Sequence, residues 1–265
     1  MDIKARENAQ KQWNTTPCGS VDGNESLTLD YFKRVEKERY TQQYWQKAYF
    51  PFYKFGGKKV LEIGIGHGTD LAQFGENGST CYGIDITDRH IELTKKNFEL
   101  RGLSVEISKD DATNISYQPN FFDGVYSFGV LHHIPEMNSC IKSINKVLKS
   151  EGTLMMALYY RYSLAHLKLV LQGLMTGRLK KLGYSGLLAT IEMGADGILI
   201  KPYVKLYSKR EVRKLMIENG FEIEHLNCRQ VYFNDFKFLN LFRVFENYLG
   251  WYVTVIARKK TTIAK

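Results

Sequence analysis

A glycine-rich turn offers the clearest chemistry in this chain. In Val60-Leu61-Glu62-Ile63-Gly64-Ile65-Gly66-His67-Gly68-Thr69-Asp70 an apolar run enters three spaced glycines, and an amphipathic segment starts directly behind them. Glycine at such a turn admits positive φ and lets a ligand rest on backbone where a Cβ would otherwise stand. Dinucleotide sites ask for G-x-G-x-x-G, whereas here the third glycine comes one place early and position 69 is Thr. Asp85 closes the run Tyr82-Gly83-Ile84-Asp85, 21 positions after Gly64. A carboxylate there accepts hydrogen bonds from both hydroxyls of an unphosphorylated ribose. Asp110-Asp111-Ala112 supplies an acid and a small residue that suit the edge of an adenine ring. The run Phe122-Asp123-Gly124-Val125-Tyr126-Ser127-Phe128 leads on to Gly129-Val130-Leu131-His132-His133-Ile134. Its two imidazoles are candidates for general-base work.

These residues need a frame. From Lys58 onward strand-like and helix-like segments alternate, which predicts βαβ units and a parallel sheet. Strands are expected at 58–64, 79–85, 103–108, 121–128, 152–159, 221–227 and 250–258. Helices are expected at 68–77, 87–101 and 136–149, the last with Met137, Ile141, Ile144 and Leu148 on one face. A further helix spans 208–219, and Gly220 ends it. The chemistry-bearing loops then sit at the carboxyl ends of the first four strands, where an open α/β sheet binds ligands. Residues 1–57 read as a separate aromatic and charged N-terminal cap, helical over 28–50 and broken by Gly56-Gly57. Residues 58–265 form the main domain, and 160–206 and 228–249 interrupt it as insertions.

The order E-x-G-x-G-x-G-T-D, then G-I-D, then D-A, then F-D-x-V-x-S-x-G-V-L-H-H-I resembles the class I S-adenosylmethionine-dependent methyltransferases over about residues 58–160. Flanking pieces extend the likeness: Trp13-Asn14 with Pro17-Cys18-Gly19, Arg39-Tyr40, Tyr160-Arg161-Tyr162-Ser163 and Tyr207-Ser208. These are similar to a bacterial branch of small-molecule methyltransferases with a helical N-terminal cap. The resemblance implies a Rossmann-like, seven-stranded, mostly parallel sheet of order 3-2-1-4-5-7-6 with helices on both faces. It also implies S-adenosylmethionine as cofactor. Gly64, Gly66 and Gly68 would pass under its methionine part, Glu62 would orient that loop, and Asp85 would hold the ribose. Asp111 with Ala112 would meet the adenine, and Thr69, Asp70, Ile86, Phe128 and Val130 complete the expected cofactor set. Ile65 and His67 fill variable positions.

The methyl group of a sulfonium is already activated, so no metal is expected, and the protein's task is in-line alignment of the reacting atoms. A general base helps where the acceptor has a proton to lose, and His133 and His132 are the catalytic candidates. Tyr40, Tyr44, Tyr160 and Arg161 are candidates for touching the acceptor. The segment Ser163 to Met175 places Leu164, Leu167, Val170, Leu171 and Leu174 on one helical face. That face reads as a lid over an apolar acceptor, as a basic amphipathic helix in peripheral contact with anionic lipid, or as an extra packed helix.

The acceptor expected is a small, largely apolar molecule: a natural product, a terpenoid, or a quinone-like or sugar-linked metabolite. The net charge of +9 is concentrated in residues 141–215, where fourteen Lys/Arg face four Asp/Glu. This keeps an RNA-directed methyltransferase in view. A non-catalytic cofactor-binding protein is the other alternative, and the intact cofactor loop weighs against it. Enzymes that methylate exocyclic base nitrogens resemble one another in an Asn/Asp-Pro-Pro-aromatic turn after the fourth strand. Ser127-Phe128-Gly129-Val130 stands there instead, which disfavours that chemistry and makes nucleic acid a less expected partner. Cys18, Cys81, Cys140 and Cys228 are too scattered for a zinc site, the N-terminal stretch is not signal-like, and no apolar run approaches the roughly 20 residues that span a bilayer. A cytoplasmic protein is expected, with its oligomeric state open.

Overall fold

The computed structural model describes residues 3–15, 17, 26–192, 202–231 and 244–261. Cys18, Gly19, residues 193–201 of the first insertion and residues 232–243 of the second lie outside the described residues.

Seven strands form one sheet: β1 (Lys59–Ile63), β2 (Thr80–Asp85), β3 (Val105–Lys109), β4 (Phe122–Phe128), β5 (Leu148–Tyr159), β6 (Phe221–Arg229) and β7 (Tyr252–Lys259). Their order is β3-β2-β1-β4-β5-β7-β6, with β7 alone reversed between β5 and β6. This is the Rossmann-like arrangement that the family resemblance implies, and β1 to β5 form the parallel part that the alternating pattern predicts. β5 begins four residues before its expected start, because Leu148 pairs with Phe122 ahead of an irregularity in the β4–β5 register.

The helices are α1 (Ile3–Thr15), α2 (Leu29–Gln42), α3 (Gln46–Tyr49), α4 (Thr69–Glu76), α5 (Asp88–Arg101), α6 (Met137–Val147), α7 (Leu164–Met175), α8 (Arg178–Ala189), α9 (Lys209–Glu218) and α10 (Glu246–Leu249). Their starts follow from local chemistry. Thr28, Thr87 and Ser163 each turn a side-chain oxygen to an orphan N–H of α2, α5 or α7. Ser208 and Glu211 close a reciprocal capping box on α9.

Period-two alternation along the strands divides the core between the two sheet faces. Leu61, Ile63, Tyr82, Ile84, Val125 and Leu154 pack against Cys140, Ile141 and Ile144 of α6 and Val212 and Met216 of α9. Val60, Tyr126 and Met155 point the other way, toward Leu71 and Phe74 of α4, Phe98 of α5, and Trp45, Phe50, Phe52 and Phe55. Each fully buried aliphatic or aromatic side chain of this kind contributes about 1.5–3 kcal/mol relative to exposure, an upper figure because unfolded chains already shield some surface. Residues 45–55 are therefore part of the sheet's own core. α2 has a smaller contact of its own, with Tyr31, Phe32 and Val35 against Leu93 of α5. No helix among the described residues is long and apolar enough to cross a membrane.

Candidate active site

The carboxyl ends of β1 to β4 meet in a cleft of about 280 Å³. Its floor is the turn after β1. Gly64 has φ 77° and a Cβ there would lie 2.3 Å from Val130, so the β1 and β4 loops approach as closely as they do only because it is glycine. Gly66, at φ 53°, has nothing within 4 Å of the place its Cβ would take. Bare backbone faces open cleft at this point, which is the surface a flat, extended ligand needs.

Carboxylates surround that floor. Glu62 is buried, and its Oε2 has no hydrogen-bond partner in the protein. Burial first, and the neighbouring Asp70 second, push its carboxyl well above the usual range despite Arg39 nearby. Asp85 behaves in the opposite way. Burial opposes its charge, but His90 and the Thr87 amide and hydroxyl bind the carboxylate and hold it below the usual range. Its Oδ1 accepts from Thr87 N at 2.9 Å and Thr87 Oγ1 at 2.8 Å, and its Oδ2 lies 3.1 Å from His90 Nδ1. A carboxylate has about four acceptor sites, so Oδ2 keeps one for a ligand hydroxyl. Asp111 and Ala112 line the next wall, with Asp111 turned back on Thr113 by bonds of 2.9 and 2.8 Å.

The roof is helical. Ala9 and Trp13 of α1 and Val35, Glu38, Arg39 and Gln42 of α2 line the cleft. Gln10 donates to the Ile86 carbonyl at 3.0 Å, which ties α1 to the β2 loop. α2 is tied to the β1 loop through Asp70, whose carboxylate accepts from Arg39 Nη2, from Tyr40 Oη at 2.9 Å, from Gln46 Nε2 at 2.7 Å and from Tyr126 Oη at 3.0 Å. The Arg39 guanidinium also lies over the Phe128 ring, 4.4 Å from its centroid.

At the opposite end Trp13, Phe128, Ile134, Tyr159 and Tyr252 make an apolar wall around His133 and Glu192. His133 Nδ1 lies 2.8 Å from the Tyr203 carbonyl, which only accepts, so Nδ1 carries the proton and Nε2 presents a lone pair. That Nε2 is 3.6 Å from Glu192 Oε1, which in turn accepts from Tyr159 Oη at 2.6 Å. Trp13 meets the His133 ring edge-on at 5.6 Å.

Residues 61–156 match the methyltransferase domain family. Over that stretch the chain is similar to a methyltransferase domain. A curated relative, the ubiquinone biosynthesis O-methyltransferase of Actinobacillus pleuropneumoniae serotype 5b (strain L20), is 28% identical over 120 residues, covering 43% of this chain and 51% of that protein. The chain thus spans about half the length of the curated relatives it matches. Among solved structures, the magnesium protoporphyrin IX methyltransferase of Synechocystis PCC 6803 with bound SAH aligns at a TM-score of 0.61 and 15% identity, over 97% of this chain and 100% of that one. The [4+2]-cyclase SpnF aligns at 0.58 and 16%, over 98% and 93%.

Within residues 61–156 the cleft gathers Glu62, Gly64, Gly66, Thr69, Asp70, Asp85, Ile86, Asp111, Ala112, Phe128, Val130 and His133 from among the residues expected from sequence. Gly68 stands behind it as the left-handed N-cap of α4, and His132 lies buried beneath His133. Asp70 touches the cleft, yet its carboxylate is saturated by four protein donors, so its work is to anchor α2.

The four residues expected to meet the acceptor do not line the cleft. Tyr40 gives its hydroxyl to Asp70, and Tyr44 gives its own to Glu246 at 2.8 Å. Tyr160 is packed in the core on the α6 face, where burial pushes its hydroxyl up to about 12. Arg161 pairs with Glu211 at 2.9 Å and the Leu206 carbonyl at 3.0 Å. Tyr160 and Arg161 follow β5, but Tyr160 bridges to Tyr207 and Arg161 reaches Glu211 of α9, so both are turned away from the cleft. Nor does any residue of α7 line the cleft. Its Leu167, Leu171 and Leu174 are exposed, while Gly173 packs on Leu187 of α8.

Sequence reasoning did not single out Trp13, His90, Tyr159, Glu192 and Tyr252 as site residues. For His90 a signal existed, since a position five residues past the ribose carboxylate lies one turn into the next helix. Glu192 is separated from the histidines by 59 residues, and nothing in spacing marks it.

Proposed function

We propose that this protein transfers the methyl group of S-adenosylmethionine to an oxygen of a small, largely apolar acceptor. The observation that carries the reading is the open backbone at Gly66 with the unpartnered Glu62 carboxyl oxygen beside it, in a cleft that also presents Asp85. A cation with an attached ribose fits these three features together. Glu62 supplies an anion that gains from a positive neighbour, Asp85 accepts a ribose hydroxyl, Ala112 and Ile86 leave flat space for a purine, and Phe128 and Val130 close the side.

When bound, the cofactor supplies an electrophilic methyl group, so the chain's residues have only to position an acceptor and remove its proton. Trp13, Phe128, Tyr159 and Tyr252 hold an apolar ring and exclude water. His133, its Nδ1 fixed by the Tyr203 carbonyl, presents Nε2 to an acceptor hydroxyl and takes the proton as the oxygen is alkylated. Glu192 favours the imidazolium that results. An oxygen acceptor also agrees with the relative named as an O-methyltransferase of ubiquinone biosynthesis. No Lys or Arg of the basic 141–215 region lines the cleft among the described residues, and this favours a small acceptor over RNA.

Calorimetry tests the cofactor and metabolite transfer tests the reaction. S-Adenosylmethionine is expected to bind one per chain while NAD does not. Labelled methyl is expected to appear in an apolar, hydroxyl-bearing fraction of cell metabolites. Binding of NAD in place of S-adenosylmethionine would sink the reading.

A further inference from the structure

We infer that His132, His133 and Glu192 form a site for one divalent transition-metal ion at the acceptor end of the cleft, with its open side toward an acceptor oxygen. From sequence no metal is expected, since a sulfonium methyl is already activated, and the third member of the set comes from the first insertion. One ligand atom of each residue lies within 4.8 Å of the others. A common centre is then no more than about 2.8 Å from all three, and bonds of about 2.0–2.2 Å need each side chain to close by roughly half an ångström.

Three independent features of the geometry ask for a cation. First, His132 is wholly buried and neither ring nitrogen has a hydrogen-bond partner. A neutral imidazole has one nitrogen to donate and one to accept, and leaving both unmade in a core is costly. Second, His133 Nε2 and Glu192 Oε1 face each other at 3.6 Å, a lone pair against a carboxylate oxygen. The gap is longer than a direct hydrogen bond and suits a shared cation, which a proton on Nε2 or a metal ion would supply. Third, both have the outer partners that metal ligands have. The Tyr203 carbonyl fixes the tautomer of His133, and Tyr159 Oη steadies Glu192 Oε1 at 2.6 Å. Gln12 holds the Glu192 carbonyl at 2.9 Å, and Lys205 N holds the His132 carbonyl at 3.0 Å, so the two backbone turns carrying the set are pinned.

Two imidazoles and one carboxylate are the ligand set of zinc, iron(II), manganese or cobalt, and three protein ligands leave coordination positions vacant. Since His133 and Glu192 line the cleft and His132 lies behind them, those positions face the acceptor. An acceptor hydroxyl bound there would lose its proton more readily, and His133 would then be a ligand instead of the base. The role in transfer rests on the proposed function; the metal site does not.

The test uses the full chain without an affinity tag, stripped by chelator, dialysed and titrated with cobalt(II) chloride by visible absorption and zinc chloride by calorimetry. One ion per chain and a visible ligand-field band are expected. Glu192→Gln and His133→Gln should each weaken the affinity by at least about 10–100-fold, the loss seen when only an outer partner of a ligand is removed, with an unchanged far-ultraviolet spectrum. No stoichiometric uptake, or equal affinity in both variants, overturns the site and leaves a proton as the shared cation. S-Adenosylmethionine is titrated into the same stripped protein. Its binding without metal uptake removes only the metal site, whereas metal uptake without its binding removes only the transfer reading.

Discussion

The two ends of the cleft are built in different ways. At the cofactor end every key residue belongs to a loop that directly follows one of four neighbouring parallel strands, so Gly66, Asp85 and Asp111 are placed by the sheet itself. At the acceptor end the residues arrive from α1, from the turn after β4, from the ends of β5 and β7 and from the short turn at Thr190–Glu192. One end is set by the fold and the other by what is attached to it. A sheet of this kind can therefore keep its cofactor floor while its attachments redefine the acceptor, and the alignment with both a protoporphyrin methyltransferase and a [4+2]-cyclase is consistent with that freedom.

The sharpest test of the division is a variant that affects one end only. His133→Ala is expected to slow turnover about a hundredfold to ten-thousandfold, the range of general acid–base assistance, while S-adenosylmethionine affinity stays within twofold. Single-turnover methyl transfer beside calorimetry reads both quantities. Equal losses in the two would mean that the ends are not separable.

Asp70→Ala should break the join between the ends. It leaves Arg39 beside a buried Tyr126 and Gln46 with no carboxylate, and is expected to cost about 3 kcal/mol in urea unfolding, the low end for a broken buried pair because Arg39 is partly exposed. A loss below about 0.5 kcal/mol, the size of an ordinary surface change, would show that α2 is held by its apolar contacts alone.

Asp85→Asn acts on the cofactor end. It keeps the shape but removes the charge that the bound ribose hydroxyl meets, and should weaken S-adenosylmethionine about tenfold, the value of one charge-assisted hydrogen bond. An unchanged calorimetric affinity would take the ribose away from this residue.

The same division explains what could be read from the sequence. Glycine spacing and strand-terminal acids are local patterns that point to Gly64, Gly66, Asp85 and Ala112, the family resemblance adds Glu62, and all five line one cleft. Alternation of β and α segments pointed to a parallel sheet, and the strand order came from the family resemblance that the same motifs carry. The acceptor end depends on contacts such as Trp13 with His133 and Glu192 with Tyr159, which pair elements far apart in the chain. Aromatic and charged residues near a motif, such as Tyr40 and Arg161, suggested themselves by adjacency. The structure instead directs them to Asp70 and Glu211, because a polar group close to a core is satisfied by its nearest buried partner. The leucines of α7 show the same point for apolar residues, since helical periodicity reveals a face but not what that face meets.

The finest distinction between the ends is electrostatic. Glu62 is held well above the usual carboxylate range by burial and by Asp70, so without ligand it stays protonated to a higher pH than an ordinary glutamate. A sulfonium beside it favours the ionised form and draws that value down, so binding releases a proton. Affinity for S-adenosylmethionine should therefore rise with pH from the ordinary carboxylate range up to the raised value, and level off above it. Below the liganded value both states are protonated and the affinity is again flat. S-Adenosylhomocysteine lacks the sulfonium charge, so its slope over the same window should be shallower. Glu62→Gln should flatten both, because nothing is left to titrate, whereas Glu192→Gln at the acceptor end should leave the two slopes apart. A steep rise that survives in Glu62→Gln would move the titrating group elsewhere in the cleft, with the Asp85–His90 pair as the next to examine.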